Sequence, residues 1–116
     1  MIETKIITYL ISRNIPGIGS NVYAEAPVDP PAVYVIVHRS GGNKRNQLRA
    51  NNLYTEVHAP SRADAAAIAE LVIAAMGDVT TVTNIFGCHL NTDYDATSTS
   101  AKDYRYQQLW QINYKE

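Results

Sequence analysis

Cysteine occurs once in the 116 residues, as Cys88. That excludes an internal disulfide and leaves no cysteine pair for a structural metal site. No apolar run approaches the roughly 20 residues that cross a bilayer. The opening MIETKIITYL has no basic stretch before an apolar core and no small-residue cleavage site. It therefore does not read as a signal peptide, and a soluble protein of a reducing compartment is expected. A formal charge of −1 gives bulk electrostatics no preference for or against nucleic acid. No G-x-S-x-G elbow is present. Gly17-Ile18-Gly19 and Gly41-Gly42 lack the P-loop lysine and the full dinucleotide spacing. Without repeats or a linker, residues 1–116 read as a single domain. A chain of this size buries about two-thirds of its unfolded surface.

What is present is best organised around Ser61 to Met76, SRADAAAIAELVIAAM. Ser61 with Asp64 three residues later resembles a capping box. Seven residues are Ala, the best helix former, and Gly77 stands where a helix stop is expected. Ala65, Ile68, Val72, Ala75 and Met76 form one stripe with Leu71 at its edge, an ordinary core face. The opposite side carries Ala66, Ala67, Ile73 and Ala74, with Glu70 as its only charge. A helix with so little polar surface calls for a second covering, from another helix or another subunit. Residues 2 to 13 form a second helix, ended by Asn14, Pro16-Gly17 and Gly19.

Strand patterns fill most of the remainder. Asn21 to Glu25 suggests a short strand, followed by APVDPP as an extended connection. Ala32 to Arg39 has apolar residues on both faces, as a central strand does. Asn52 to Ala59 alternates Leu53, Thr55, Val57 and Ala59 against Tyr54, Glu56 and His58. Between these two strands, Ser40 to Asn51 reads as a long basic tip with Lys44, Arg45 and Arg49 and no acid, next to Arg39. Thr81 to Phe86 and His89 to Asp95 suggest two short strands divided by Gly87. Tyr104 to Tyr114 alternates cleanly, with Tyr104, Tyr106, Gln108, Trp110, Ile112 and Tyr114 on one face. The order predicts an α+β domain: an antiparallel or mixed β-sheet with two helices packed on one face and a long β-hairpin extension.

The chemistry-bearing residues do not assemble a site. If the hairpin strands pair across the tip, residue 38 faces roughly residue 52. His58 is then about 20 Å from His38, too far to share a metal. Cys88 and His89 are strand neighbours that point to opposite faces. No metal, cofactor or catalytic residue is assigned. The basic tip reads as a docking arm or a solvated loop, and, ranked below these, as a phosphate contact. The acidic region with Asp93 and Asp95 is a plausible complement for a docking arm. The tyrosines beside Trp110 fit core or interface packing better than a stacking platform for single strands. A small nucleic-acid-binding module using the 40–51 loop and a small α+β enzyme or ligand-binding protein remain alternatives.

The whole layout is more specific than these parts. MIETKIITYLISR is followed by VYAEAPVDPPAVYVIVHRSGG, then by LYTEVHAPSRADAAAIAELVIAAM, and the chain closes on YRYQQLWQINY. This pattern resembles the tail terminator, or tail completion, proteins of long-tailed bacteriophages and prophages, a group that also carries minor tail and head-tail joining names. The resemblance implies a non-enzymatic virion protein of the tail-head neck, assembled in the host cytoplasm. It implies self-association, usually as a hexameric ring, with contacts to the tail-tube protein and a head-completion protein. DNA would pass through without sequence reading, with no membrane and no cofactor involved. The surface expected to make subunit or partner contacts comprises Arg39, Lys44, Arg45 and Arg49, with Ala66, Ala67, Glu70, Ile73, Ala74, Asp93 and Asp95.

Overall fold

Where β-branched and aromatic residues alternate along the chain, the sheet forms. The computed structural model describes residues 2–45, 48–98 and 100–115, by backbone alone at 42–45 and 48. Helix α1 spans Ile2–Ser12 and a two-residue strand β1 spans Val22–Tyr23. Strands β2 (Tyr34–Arg45) and β3 (Leu48–Ala59) precede helix α2 (Arg62–Met76). A 3-10 turn at Val79–Thr81 then leads to strands β4 (Ile85–Asp95) and β5 (Tyr104–Lys115). The strands make one sheet in the order β1-β2-β3-β5-β4.

All neighbours are antiparallel except β1 and β2, which pair in parallel through Val22↔Val35 and Tyr23↔Ile36. Parallel neighbours need a crossover, and the proline-rich 24–33 segment makes it. The sheet is therefore mixed and open, and the domain is α+β.

One face of the sheet carries the core. Val35, Val37, Leu53, Val57, Trp110 and Ile112 pack there with Ile2, Ile6 and Leu10 of α1 and Ala69, Val72 and Met76 of α2. Both helices lie on that face, as the pattern predicts. Ser61 caps α2, its hydroxyl accepting the Asp64 N–H at 3.1 Å. Gly77 ends the helix with right-handed φ (−60°), so the chain turns directly into Val79–Thr81 without a left-handed residue.

Three expectations change. The Ser40 to Asn51 segment is not a long loop. The β2–β3 ladder continues to Arg45↔Leu48, past a bulge between Arg39 and Gly41. Backbone pairing needs no alternation of side chains, so the polar sequence concealed it. Residues 46 and 47, at the tip, lie outside the described residues. With the ladder closed so tightly, His38 faces Tyr54 rather than residue 52, and His58 faces Tyr34. Along its whole length β3 is also paired with β5, from Leu48↔Lys115 to Ala59↔Tyr104. Finally, the two short strands expected around Gly87 are one strand, β4, which begins only at Ile85: Thr81 ends the 3-10 turn and residues 82–84 are not strand. Its register shifts between Ile85 and Gly87 and between Leu90 and Thr92. Each shift changes the phase of alternation, so the sequence looks broken.

Candidate assembly surface

Helix α2 has two flanks, because successive residues turn by about 100° around its axis. Ala65, Ala69, Val72 and Met76 face the sheet and are buried. Small residues at 65 and 69 let the helix approach closely. This roll differs from the expected one: Leu71 is 40% exposed and Ile68 is only partly buried.

The Ile68 and Ala75 flank is closed. Tyr9 of α1 donates its hydroxyl to the Ala75 carbonyl at 2.6 Å. Gly17, at φ +86°, sits so near that a Cβ there would lie 2.9 Å from Ile68 Cδ1. Burial raises the Tyr9 pKa.

The other flank carries Arg62, Ala66 and Ile73, with Glu70 beyond them. Arg62 Nε pairs with Asp95 at 2.8 Å, which sets this flank beside β4. Ala66 and Ile73 are partly buried, while Ala67, Glu70 and Ala74 are exposed. The N-terminal helix meets α2 on the closed flank, so it is not what borders Ala66 and Ile73.

Strand β4 is the outer edge on this side. It shows Phe86 (60% exposed), Leu90 (40%) and Tyr94 (41%). These three had no signal in the sequence, because nothing there tells an edge strand from a central one. A buried polar chain ties the edge to the core. Trp110 Nε1 donates to Thr55 Oγ1 (2.9 Å), Thr55 Oγ1 to Gln108 Oε1 (2.7 Å), and Gln108 Nε2 to Asp93 Oδ1 (3.0 Å). The chain fixes Asp93 at the rim of the α2–β4 seam. Hydrogen bonds from the side chain and backbone N–H of Thr97 lower the Asp95 pKa, and the Arg62 guanidinium adds to this. Cys88, on the helix-facing side of β4 opposite Ile112, is pushed by burial from 9.0 to about 11 and stays a thiol at neutral pH.

On the opposite side of the sheet, β2 pairs with β1 only at Val35 and Ile36. Among the described residues, its outer edge has no strand partner from Val37 to Arg45. This is the stretch holding Arg39, Lys44 and Arg45, with Arg49 opposite Lys44 on β3. The structure thus separates the candidate residues into two groups on opposite sides. The basic group lies along β2 and the distal β3. The group of Ala66, Ala67, Glu70, Ile73, Ala74, Asp93 and Asp95 lies on α2 and β4.

The sheet face away from the helices is polar and internally paired. His58 stacks on Tyr34 (4.5 Å between centroids) and its Nδ1 lies 3.1 Å from Asp103. His38 stacks on Tyr54 at 5.0 Å and lies 3.3 Å from Glu56, which Arg105 also approaches at 3.7 Å. His89 points to this face and Cys88 to the other. Among the described residues, no three His, Cys, Asp or Glu side chains converge as metal ligands. Tyr106, Trp110 and Tyr114 pack toward the helices and present no stacking platform. An open groove of about 580 Å³ runs between the polar stripe of α1 (Thr4, Lys5, Thr8, Ser12) and residues 82–84. No described helix is long and apolar enough to cross a membrane.

No protein-family model matches the chain, and no curated protein matches it. Among solved structures, the fold is similar to that of a chain in the virion of a native gene transfer agent particle. The TM-score is 0.61 at 12% identity, over 99% of this chain and 95% of the other. At this identity the likeness is one of fold.

Proposed function

We propose that this protein is a structural component of a phage-like virion, and within it a tail terminator. It caps the tail tube as a ring, usually hexameric, at the neck between tail and head, after assembly in the host cytoplasm. It contacts the tail-tube protein on one side and a head-completion protein on the other. DNA passes through the ring without being read, and no residue acts as a catalyst. The observation that carries this reading is the fold likeness to a virion chain along nearly the full length of both proteins. Two further features support it. The sheet is open at both sides, and a contact between unlike sides of identical subunits closes into a ring when the rotation permits. The basic group also lies on one side of the sheet, along β2 and the distal β3, where a protein partner rather than a DNA channel would meet it. A strongly basic channel would grip DNA instead.

Electron microscopy of tails assembled without this protein tests the role. Tails of irregular length that fail to join heads are expected. Tails of normal length that still join heads would rule the role out. Fluorescence anisotropy with single- and double-stranded oligonucleotides addresses the nucleic-acid alternative. Binding that falls steeply with salt would favour that alternative, since phosphate contacts release counterions.

A further inference from the structure

We infer that the α2–β4 flank of one copy receives the basic β2 edge of a second copy. This rests on the ring reading above and names the surfaces that would join in it. The charge distribution is the first reason. From residue 63 to 101 the sequence has five acids and no Lys or Arg. Two of these five are compensated within the chain, Asp78 by Arg13 (3.3 Å) and Asp95 by Arg62. Glu70 and Asp93 make no ion pair among the described residues, and both belong to the flank. The 40–51 segment is the reverse, with three basic residues and no acid, and Arg39 beside it is exposed.

Backbone chemistry is the second reason. An outer strand offers unpaired N–H and C=O groups, which natural monomers blunt with Lys, Pro or bulges. Strand β4 has two bulges, yet it contains no Lys and no Pro, and it exposes Leu90 on the helix-facing side and Tyr94 on the other. On α2, Ala66 and Ile73 are only half-buried on the flank toward β4, where Leu90 is 40% exposed. An apolar strip rimmed by carboxylates fits an extended strand edged with Lys and Arg. The donor and acceptor surfaces lie on opposite sides of the molecule, so the contact is head to tail and leaves a free surface at each end. Each added copy can therefore repeat it. Charge complementarity sets partner and register, and the apolar strip excludes water.

Reciprocal charge exchange tests the pairing. One variant carries Lys44→Glu and Arg45→Glu. The other carries Glu70→Lys and Asp93→Asn, the asparagine keeping an acceptor for Gln108. Each alone places like charges together at every junction, and association by light scattering should weaken by roughly tenfold or more. An equimolar mixture restores opposite charges at both kinds of junction and should assemble as alternating copies. Circular dichroism confirms that each variant is folded. In parallel, carbodiimide coupling of the unaltered protein should yield an intermolecular Lys44–Glu70 or Lys44–Asp93 amide, identified by mass spectrometry. Unchanged association in the separate variants, or a mixture that stays apart, would overturn the pairing but leave the ring reading standing. Absence of the cross-link at high protein concentration would do the same. Normal tails in the microscopy above would remove the ring reading itself.

Discussion

The two flanks of α2 are built from similar residues and have opposite fates. On one, α1 and the turn at 15–19 bury Ala75 and half-bury Ile68, through the Tyr9 hydrogen bond and the close approach of Gly17. On the other, Ala66 and Ile73 are half-buried on the side toward β4, which exposes Leu90, and the Arg62–Asp95 ion pair crosses the rim. The first flank is spent on folding, and the second is the one we propose for association. The alanine-rich composition serves both, since small residues let either kind of neighbour come close.

The largest effect on stability is expected at Gly17. Alanine there is held at φ +86° and also displaces Ile68 Cδ1, which can move aside. The backbone conformation dominates, and Gly17→Ala should cost about 1–2 kcal/mol in denaturant unfolding. Tyr9→Phe removes the buried bond to Ala75 and should cost about 1 kcal/mol. Both changes strike the closed flank, so association of the folded fraction should be unaltered.

Cys88 reports on the open side. Its pKa is raised by burial to about 11, so alkylation of the native protein should be slow at neutral pH and accelerate only as pH approaches that value. The sign of the linkage follows from the rise. The stability it contributes is complete below the unfolded value near 9.0 and is lost as pH climbs through about 11. Alkylation at fixed pH should also slow as protein concentration rises, because Cys88 lies on the strand that a second copy would cover.

Much of the fold was legible because local signals agreed. Ser61, the alanines and Gly77 marked α2, and alternation from Tyr104 to Tyr114 placed Gln108, which is fully buried, on the core face with Trp110. What escaped was structure without a side-chain pattern. The short strand expected at Asn21 to Glu25 is present as β1, but what its two residues pair with, and that they pair in parallel, has no local signal. The distal β2–β3 ladder is carried by Asn, Gly and Lys, whose side chains do not alternate by polarity. The bulges in β4 shift the phase twice. The candidate surface was legible only as two lists of residues. Their separation onto opposite sides depends on the strand order β1-β2-β3-β5-β4, which no local pattern encodes.

The smallest effect on folding and the largest on assembly should come from a charge on the outer surface of α2. Ala74 is exposed, and Ala74→Lys should change stability by no more than about 0.5 kcal/mol. Light scattering of this variant beside its thermal unfolding is the most direct test of the open flank. Lost or strongly weakened association with an unchanged unfolding midpoint is expected. Association equal to that of the unaltered protein, or a variant that no longer folds, would contradict it.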